Sequence, residues 1–349
     1  MQKSATEKRR LEHSAAARRA RLVVAALVVA LIVTAAVSLM LGRYPIDPAQ
    51  AIGMLVNQMV PLDPTWTDQQ ATLFFNVRLP RILLALMVGC CLAVAGAAYQ
   101  GTFQNPLVSP DILGASQGAA FGAAVAILLG LSSVATSGFA FAFSLFTVFL
   151  VLLISSRAHG NHMMVVVLAG VMVSSLFQAG VSYAKLVADP TDELADITYW
   201  LMGSLTGANM GEIAMVFPVM FIGCAVLFVL RWRINILTMG DDEAATMGVD
   251  AKRTRIIVIV AATLVTASSV CVTGMIGWVG LVIPHLCRML VGADYRRLIP
   301  ASMLMGATFL LIVDDIARLA TTAEIPIGIL TAFVGAPFFL YLITRRKKI

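Results

Sequence analysis

The sequence predicts an all-α polytopic membrane protein with about ten transmembrane helices. Composition is the first reason. Of the 349 residues 59% are hydrophobic and 13% charged, and the mean hydropathy is +0.89, whereas soluble domains carry about 25% charged residues. Repetition is the second. Apolar stretches near the length of about 20 residues that crosses a bilayer core recur along the whole chain, at 22–41, 82–101, 111–130, 138–156, 163–183, 212–230, 256–273, 275–291, 299–317 and 327–343.

Charge placement is the third reason, because cytoplasmic loops collect Lys and Arg. With the amino terminus inside, 20 of the 25 basic residues fall on the cytoplasmic side. They lie in the arm 1–21, at Arg157, in 231–255, in 288–298 and in the tail 345–349. Arg43, Arg78, Arg81, Lys185 and Arg318 fall outside. One span more or fewer scrambles this separation, so both termini are expected to be cytoplasmic. The net charge of +6 is then a topology signal, and nucleic acid is not an expected partner.

Taken in order, residues 1–21 read as a basic, mobile cytoplasmic arm, and 22–344 as one permease-like transmembrane domain. The first span exceeds the ~7–15-residue apolar core of a secretory signal and lacks a small-residue cleavage site, so it is expected to be retained. Over 47–60, Asp47 is a plausible N-cap with Pro48 at the first helical position, and Ile52, Leu55, Val56, Met59 and Val60 recur at helical spacing. This predicts an amphipathic helix lying on the outer surface. Arg78 and Arg81 then flank Pro80 before the second span. They either snorkel to the interface or, together with Arg318, present guanidinium forks to a partner's carboxylates. Arg318 also has Asp314 and Asp315 four and three residues upstream as local partners.

The third span is expected to start at Ser109, Pro110 and Asp111, which supply a cap, a first-turn proline and a dipole-matched acid. Gly114, Gly118 and Gly122 then lie on one face, suited to close helix packing or to a pathway wall. Between the fourth and fifth spans, His159 and His162 could in principle hold a metal, but with no carboxylate or thiol nearby they read as ordinary loop histidines. The five cysteines lack metal-ligand spacing and read as small buried hydrophobes; no metal site is expected. Tyr199-Trp200, in an external stretch, reads as an interfacial anchor. Within 231–255, a short helix over 239–249 carries Asp241, Asp242 and Glu243 in its first turn, Ala244, Ala245 and Met247 on its contact surface, and Gly248 at its end. It is either a docking element or an ordinary connector.

Two absences narrow the energy source. No Gly-x-x-x-x-Gly-Lys-Ser/Thr loop occurs and no lysine follows a glycine, so ATP is not bound in that way. Charged residues cluster at span ends, whereas ion-gradient-driven transporters often carry them at the midplane. An intramembrane hydrolase needs paired acids or a metal motif at mid-depth, and the pair Asp314-Asp315 lies at the outer end of its span.

Six blocks in order carry a family resemblance: Arg78-Leu-Pro-Arg81 with Gly89, Gly96 and Gln100; Asn105-Pro-Leu107 with Pro110 and Gly114 to Gly118; Tyr199-Trp200 with Gly203-Ser204-Leu205; Gly277-Trp-Val-Gly280-Leu-Val-Ile-Pro284-His285 with Arg288; Pro300, Gly306, Asp314 and Arg318; and Glu324-Ile-Pro326-Ile-Gly328 with Gly335-Ala-Pro337-Phe338. From Arg78 to the tail the chain resembles the FecCD permeases, the membrane subunits of type II ABC importers for iron-siderophore complexes, haem or cobalamin. The resemblance implies that fold, with a transport path along the interface with a second, identical or paralogous, permease chain. It implies Arg78, Arg81 and Arg318 as the docking pocket for an extracytoplasmic binding protein, and Asp241 to Gly248 as the coupling helix seated on one of two cytoplasmic ATPase subunits. ATP is then used by the ATPase, and the permease is no enzyme and holds no cofactor. The location implied is the bacterial cytoplasmic (inner) membrane. Ferric siderophore is the expected substrate, with haem and cobalamin as alternatives, and a secondary transporter driven by an ion gradient is the rival of another class. Two departures stand out. Asn161, His162, Met163 and Met164 occupy the inner-gate turn where cobalamin importers of the family carry small hydroxyl residues, and Asp315 is an acid where an apolar residue is usual.

Overall fold

The computed structural model describes residues 2–42, 44–61, 63–158 and 162–344, with side chains in those ranges apart from 2–16, His162, Leu342 and Ile343. Arg43, His159, Asn161 and the tail 345–349 lie outside the described residues. Among the described residues the structure is helical without strands. The helices are α1 (Gln2–Met40), α2 (Pro48–Asn57), α3 (Asp68–Leu73), α4 (Leu79–Thr102), α5 (Ala115–Leu128), α6 (Ser133–Arg157), α7 (His162–Val187), α8 (Glu193–Met202), α9 (Met210–Leu237), α10 (Asp241–Thr246), α11 (Ala251–Thr273), α12 (Val279–Val291), α13 (Tyr295–Leu319) and α14 (Ile327–Thr344).

Each of the ten expected spans has its helix. Among the described residues seven apolar helical segments, one of them Ala17–Met40 of α1, are long enough to cross a membrane, and α5, α12 and α14 are shorter apolar helices. The arm before the first span continues α1 without a break. Asp47 caps α2 in a capping box with Gln50, as its position suggests. The inward anchors of α2 are Ala51 and Met54, packed with Ile46 and Phe74, while Ile52, Leu55 and Val56 are exposed.

Three boundaries differ from the sequence reading. The second span begins earlier, because α3 runs through a π-turn at Phe74–Arg78 directly into α4. Pro80 has no N–H to donate, and the wide turn just before it absorbs that defect without ending the helix. The third span does not start as an α-helix at Asp111. Pro110–Leu113 forms a 3₁₀ turn that stops at Gly114, whose φ of 77° is left-handed, and α5 begins after it. A left-handed residue cannot continue a right-handed helix, and only glycine takes that conformation cheaply. The eighth span loses its first four residues, since the chain stays irregular from Gly274 (φ 68°) to Trp278 (φ 70°). Ser204 N–H donates to the Thr273 carbonyl at 2.7 Å and Ile327 N–H to the Gly203 carbonyl at 2.9 Å. These bonds tie the break to the ends of α8 and α14.

At the centre stands α4, buried along most of its length. Its glycines let neighbouring backbones approach: a Cβ on Gly89 would collide with the Gly306 carbonyl of α13, and one on Gly96 with the Gly280 backbone of α12. Both contacts follow the small-residue packing mode of membrane helices, where little but van der Waals fit holds helices together.

Candidate functional site

The arginines before and after the second and ninth spans meet at one end of the bundle. Arg81, on the first turn of α4, lies between two acids far away in sequence. Its Nε and Nη2 donate to Asp314 at 2.9–3.0 Å, and its Nη1 donates to both Glu324 oxygens at 2.9 and 3.0 Å. Glu324 also accepts from Thr206 Oγ1 at 2.7 Å. One guanidinium thus joins α4 to α13 and to the loop before α14, and Glu324 carries the link on to the loop after α8.

Arg318 makes the other choice open to it. Its Nη2 donates to Asp315 at 2.5 Å, and Asp314 faces Arg81 instead, because consecutive helical residues point about 100° apart. Arg318 also donates to the carbonyls of Ser38 at 2.9 Å and Leu41 at 3.0 Å, and Ser38 Oγ donates to Asp315 at 2.7 Å. Asp315 therefore has a structural account: it joins the hydroxyl of α1 to the guanidinium of α13. Arg78 donates to the carbonyls of Leu39 at 2.9 Å and Met40 at 3.4 Å, and to that of Tyr44. The last carbonyls of a helix lack intrahelical partners and carry the negative end of its dipole. Arg78 and Arg318 thus cap the end of α1 by side chains from two other helices.

None of the three side chains projects freely into solvent. They are 6%, 8% and 9% exposed, in the wall of a cavity of about 210 Å³ shared with Tyr44, Gly42 and Glu324. Arg81 and Arg318 are ion-paired, while among the described residues Arg78 forms no ion pair. Ser38 and Thr206 escaped the sequence reading. A serine in an apolar helix and a threonine in a loop carry no signal of partners more than a hundred residues away.

The short helix over 239–249 is present as α10 at the other end of the bundle. Gly240 and Gly248 bracket it with φ of 119° and 75°. Arg255 donates to Asp241 at 2.7 and 3.2 Å, fixing α10 to α11. Ala244 is fully buried on Leu237 and Val249, so it seats the helix instead of lying on an outward contact surface. Asp242, Glu243, Ala245, Met247 and Gly248 are exposed, as is Met239 before the helix.

Gly114, Gly118 and Gly122 face helices of this same chain. A Cβ on Gly118 would collide with Thr147 Oγ1, one on Gly122 would sit 2.5 Å from the Phe139 carbonyl of α6, and one on Gly114 would press on Ser174 of α7. Gly118→Val is expected to destabilise the fold by about 1–3 kcal/mol through overpacking, read as a lowered thermal midpoint in detergent. An unchanged midpoint would show that α5 and α6 separate freely. Of the inner-gate residues, Met163 is partly buried against the core and Met164 is exposed at the start of α7; Asn161 and the His162 side chain are not described.

Ten packed apolar helices, a charged network at one end and a short acidic helix at the other define a multi-span membrane permease. The chain belongs to the FecCD transport family, whose sequence profile matches residues 29–345. It is 41% identical over 320 residues to the molybdate import system permease protein MolB of Haemophilus influenzae, covering 91% of this chain and 94% of that protein. It is 42% identical over 273 residues to the cobalamin import system permease protein BtuC of Halobacterium salinarum, covering 78% and 73%. A solved inward-facing structure of a metal-chelate type ABC transporter superposes with a TM-score of 0.82 at 39% identity, covering 93% of this chain and 99% of that one. The chain is therefore an ABC importer permease; it is not an enzyme, and ATP hydrolysis resides in a separate subunit.

Proposed function

We propose that this chain passes a metal-bearing small molecule across the inner membrane, through a path at the interface between two permease chains. The substrate comes from an extracytoplasmic binding protein, and two cytoplasmic ATPase subunits drive the cycle. The observation that carries the substrate class is the near full-length similarity to a molybdate permease alongside that to a metal-chelate transporter. Molybdate thus joins ferric siderophore at the head of the candidates, ahead of haem and cobalamin. The test is uptake of each radiolabelled compound into proteoliposomes holding the chain with its ATPase and binding protein. ATP-dependent uptake of one compound is the expected result; uptake that follows an ion gradient without ATP would overturn the reading.

In this reading Arg78, Arg81 and Arg318 receive the binding protein. Arg78 is the strongest candidate, because its partners are carbonyls and it has room for a carboxylate's charge. Arg78→Gln, which keeps an N–H donor for the α1 carbonyls and removes the charge, is expected to weaken binding-protein association at least tenfold in surface plasmon resonance while the complex still assembles; unchanged affinity would remove Arg78 from the docking site. The exposed face of α10 seats on the ATPase. Ala245→Arg is expected to abolish substrate-stimulated ATP hydrolysis without lowering the thermal midpoint, since Ala245 is exposed. Retained stimulation would make α10 a connector. Both termini lie in the cytoplasm in this topology, which reporter fusions at each end check directly.

A further inference from the structure

Three of the five cysteines meet in the middle of the bundle, where the transport reading gives them no task. Cys91 Sγ of α4 lies 3.5 Å from Cys224 Sγ of α9, and Cys90 lines the same cavity of about 280 Å³. Cys91 is 1% exposed and Cys224 8%. The other two thiols are spoken for differently: Cys271 donates to the Ser268 carbonyl, and Cys287 lies 3.5 Å from Met305 Sδ.

The cavity wall holds no charged side chain. Phe217 and Phe221 stack along one side, centroids 5.7 Å apart and planes 27° apart. Both rings are exposed, as is Phe228 seven residues further along the same face of α9 and also in the cavity wall, so the cavity opens on an apolar surface. Such a mouth admits a neutral, planar, lipid-soluble molecule, whose ring can stack on the phenylalanines. A charged oxidant such as glutathione disulfide would have to leave its hydration behind with no partner in the wall.

We propose that Cys91 and Cys224 are a thiol redox pair, converted to a disulfide between α4 and α9 by a lipid-soluble oxidant of the quinone class that enters through the Phe217–Phe221 cavity. Two S–H bonds break and one S–S bond forms. The two electrons and two protons pass to the quinone, which leaves as the hydroquinone. The S–S bond is about 2.05 Å long, so the sulfurs close by about 1.5 Å. The product is neutral, which suits an apolar wall better than a metal ion on two thiolates, and among the described residues no three His, Cys, Asp or Glu side chains form a metal site.

The test uses the purified, reduced complex in lipid nanodiscs, exposed to a fully substituted benzoquinone bearing a decyl chain or, separately, to glutathione disulfide. With the quinone, intact mass is expected to fall by two hydrogen atoms, and peptide mapping to join Cys91 to Cys224. Cys91→Ser and Cys224→Ser each abolish the link, and the double variant Cys271→Ser/Cys287→Ser keeps it. Glutathione disulfide is expected to give at least tenfold less product. Failure of the wild type to form the link, a link through Cys90, or equal reaction with glutathione disulfide would each overturn the proposal. None of these readouts depends on the transported substrate.

Discussion

Arg81→Met is expected to be among the most damaging single changes in the chain, costing about 3–5 kcal/mol, the range for breaking a buried pair from one side. The reason is asymmetry. Arg81 and Asp314 have side chains 10% and 1% exposed, so removing the guanidinium leaves a buried carboxyl group with neither water nor its main hydrogen-bond and charge partner. Glu324, at 31%, can turn to solvent and contributes less. The double variant Arg81→Met/Asp314→Leu is expected to recover most of the loss, because an apolar pair of similar volume often replaces a buried ion pair at little cost. Thermal unfolding of the two singles and the double in detergent gives the coupling directly. A double variant no more stable than Arg81→Met would show that the pair is not what holds α4 to α13 at this end. The readout needs no binding protein, so it separates what Arg81 does inside the chain from any part it plays in docking.

That distinction marks where the sequence stops being informative. The ten spans could be read from residue order because their cause is local: each needs only enough consecutive apolar residues to cross a bilayer. The capping box at Asp47 and the short helix between Gly240 and Gly248 are local as well. Of the arginines' partners only Asp315, three positions before Arg318, is local. Arg81 meets Asp314 and Glu324 across 233 and 243 positions, and Arg78 and Arg318 bind backbone carbonyls of α1, groups that every residue carries and no sequence pattern marks. Asp315 illustrates the loss. Its role rests on Ser38, 277 positions away, and on Arg318, three positions on. The helix starts misjudged at 111 and 275 fail for a related reason: Gly114 and Trp278 adopt positive φ to suit packing that forms only once the bundle is assembled.

Gly96→Leu is expected to be among the largest packing defects that one substitution causes at the described glycines. Already the first added carbon would overlap the Gly280 backbone, and backbone cannot rotate away as a side chain does. The usual 1–3 kcal/mol of overpacking is therefore a lower bound of about that size. The damage also spreads along the contact. On the same α4–α12 face Arg288 donates to Gln100 at 2.8 Å, and α12 supports α14 through His285 and Trp278, whose rings lie 6.0 and 6.3 Å from Phe339. Forcing α12 off α4 thus loosens a helix that never touches Gly96. Gly138→Ala in α6 is the control, since a Cβ there meets nothing within 4 Å and alanine favours helix by about 1 kcal/mol over glycine. Size-exclusion profiles and thermal midpoints of both variants decide the matter. The expectation is little monodisperse protein for Gly96→Leu and an unchanged or raised midpoint for Gly138→Ala. A wild-type midpoint for Gly96→Leu would mean that α12 is free to shift against α4, and the close backbone contact would then not be what positions the second half of the bundle.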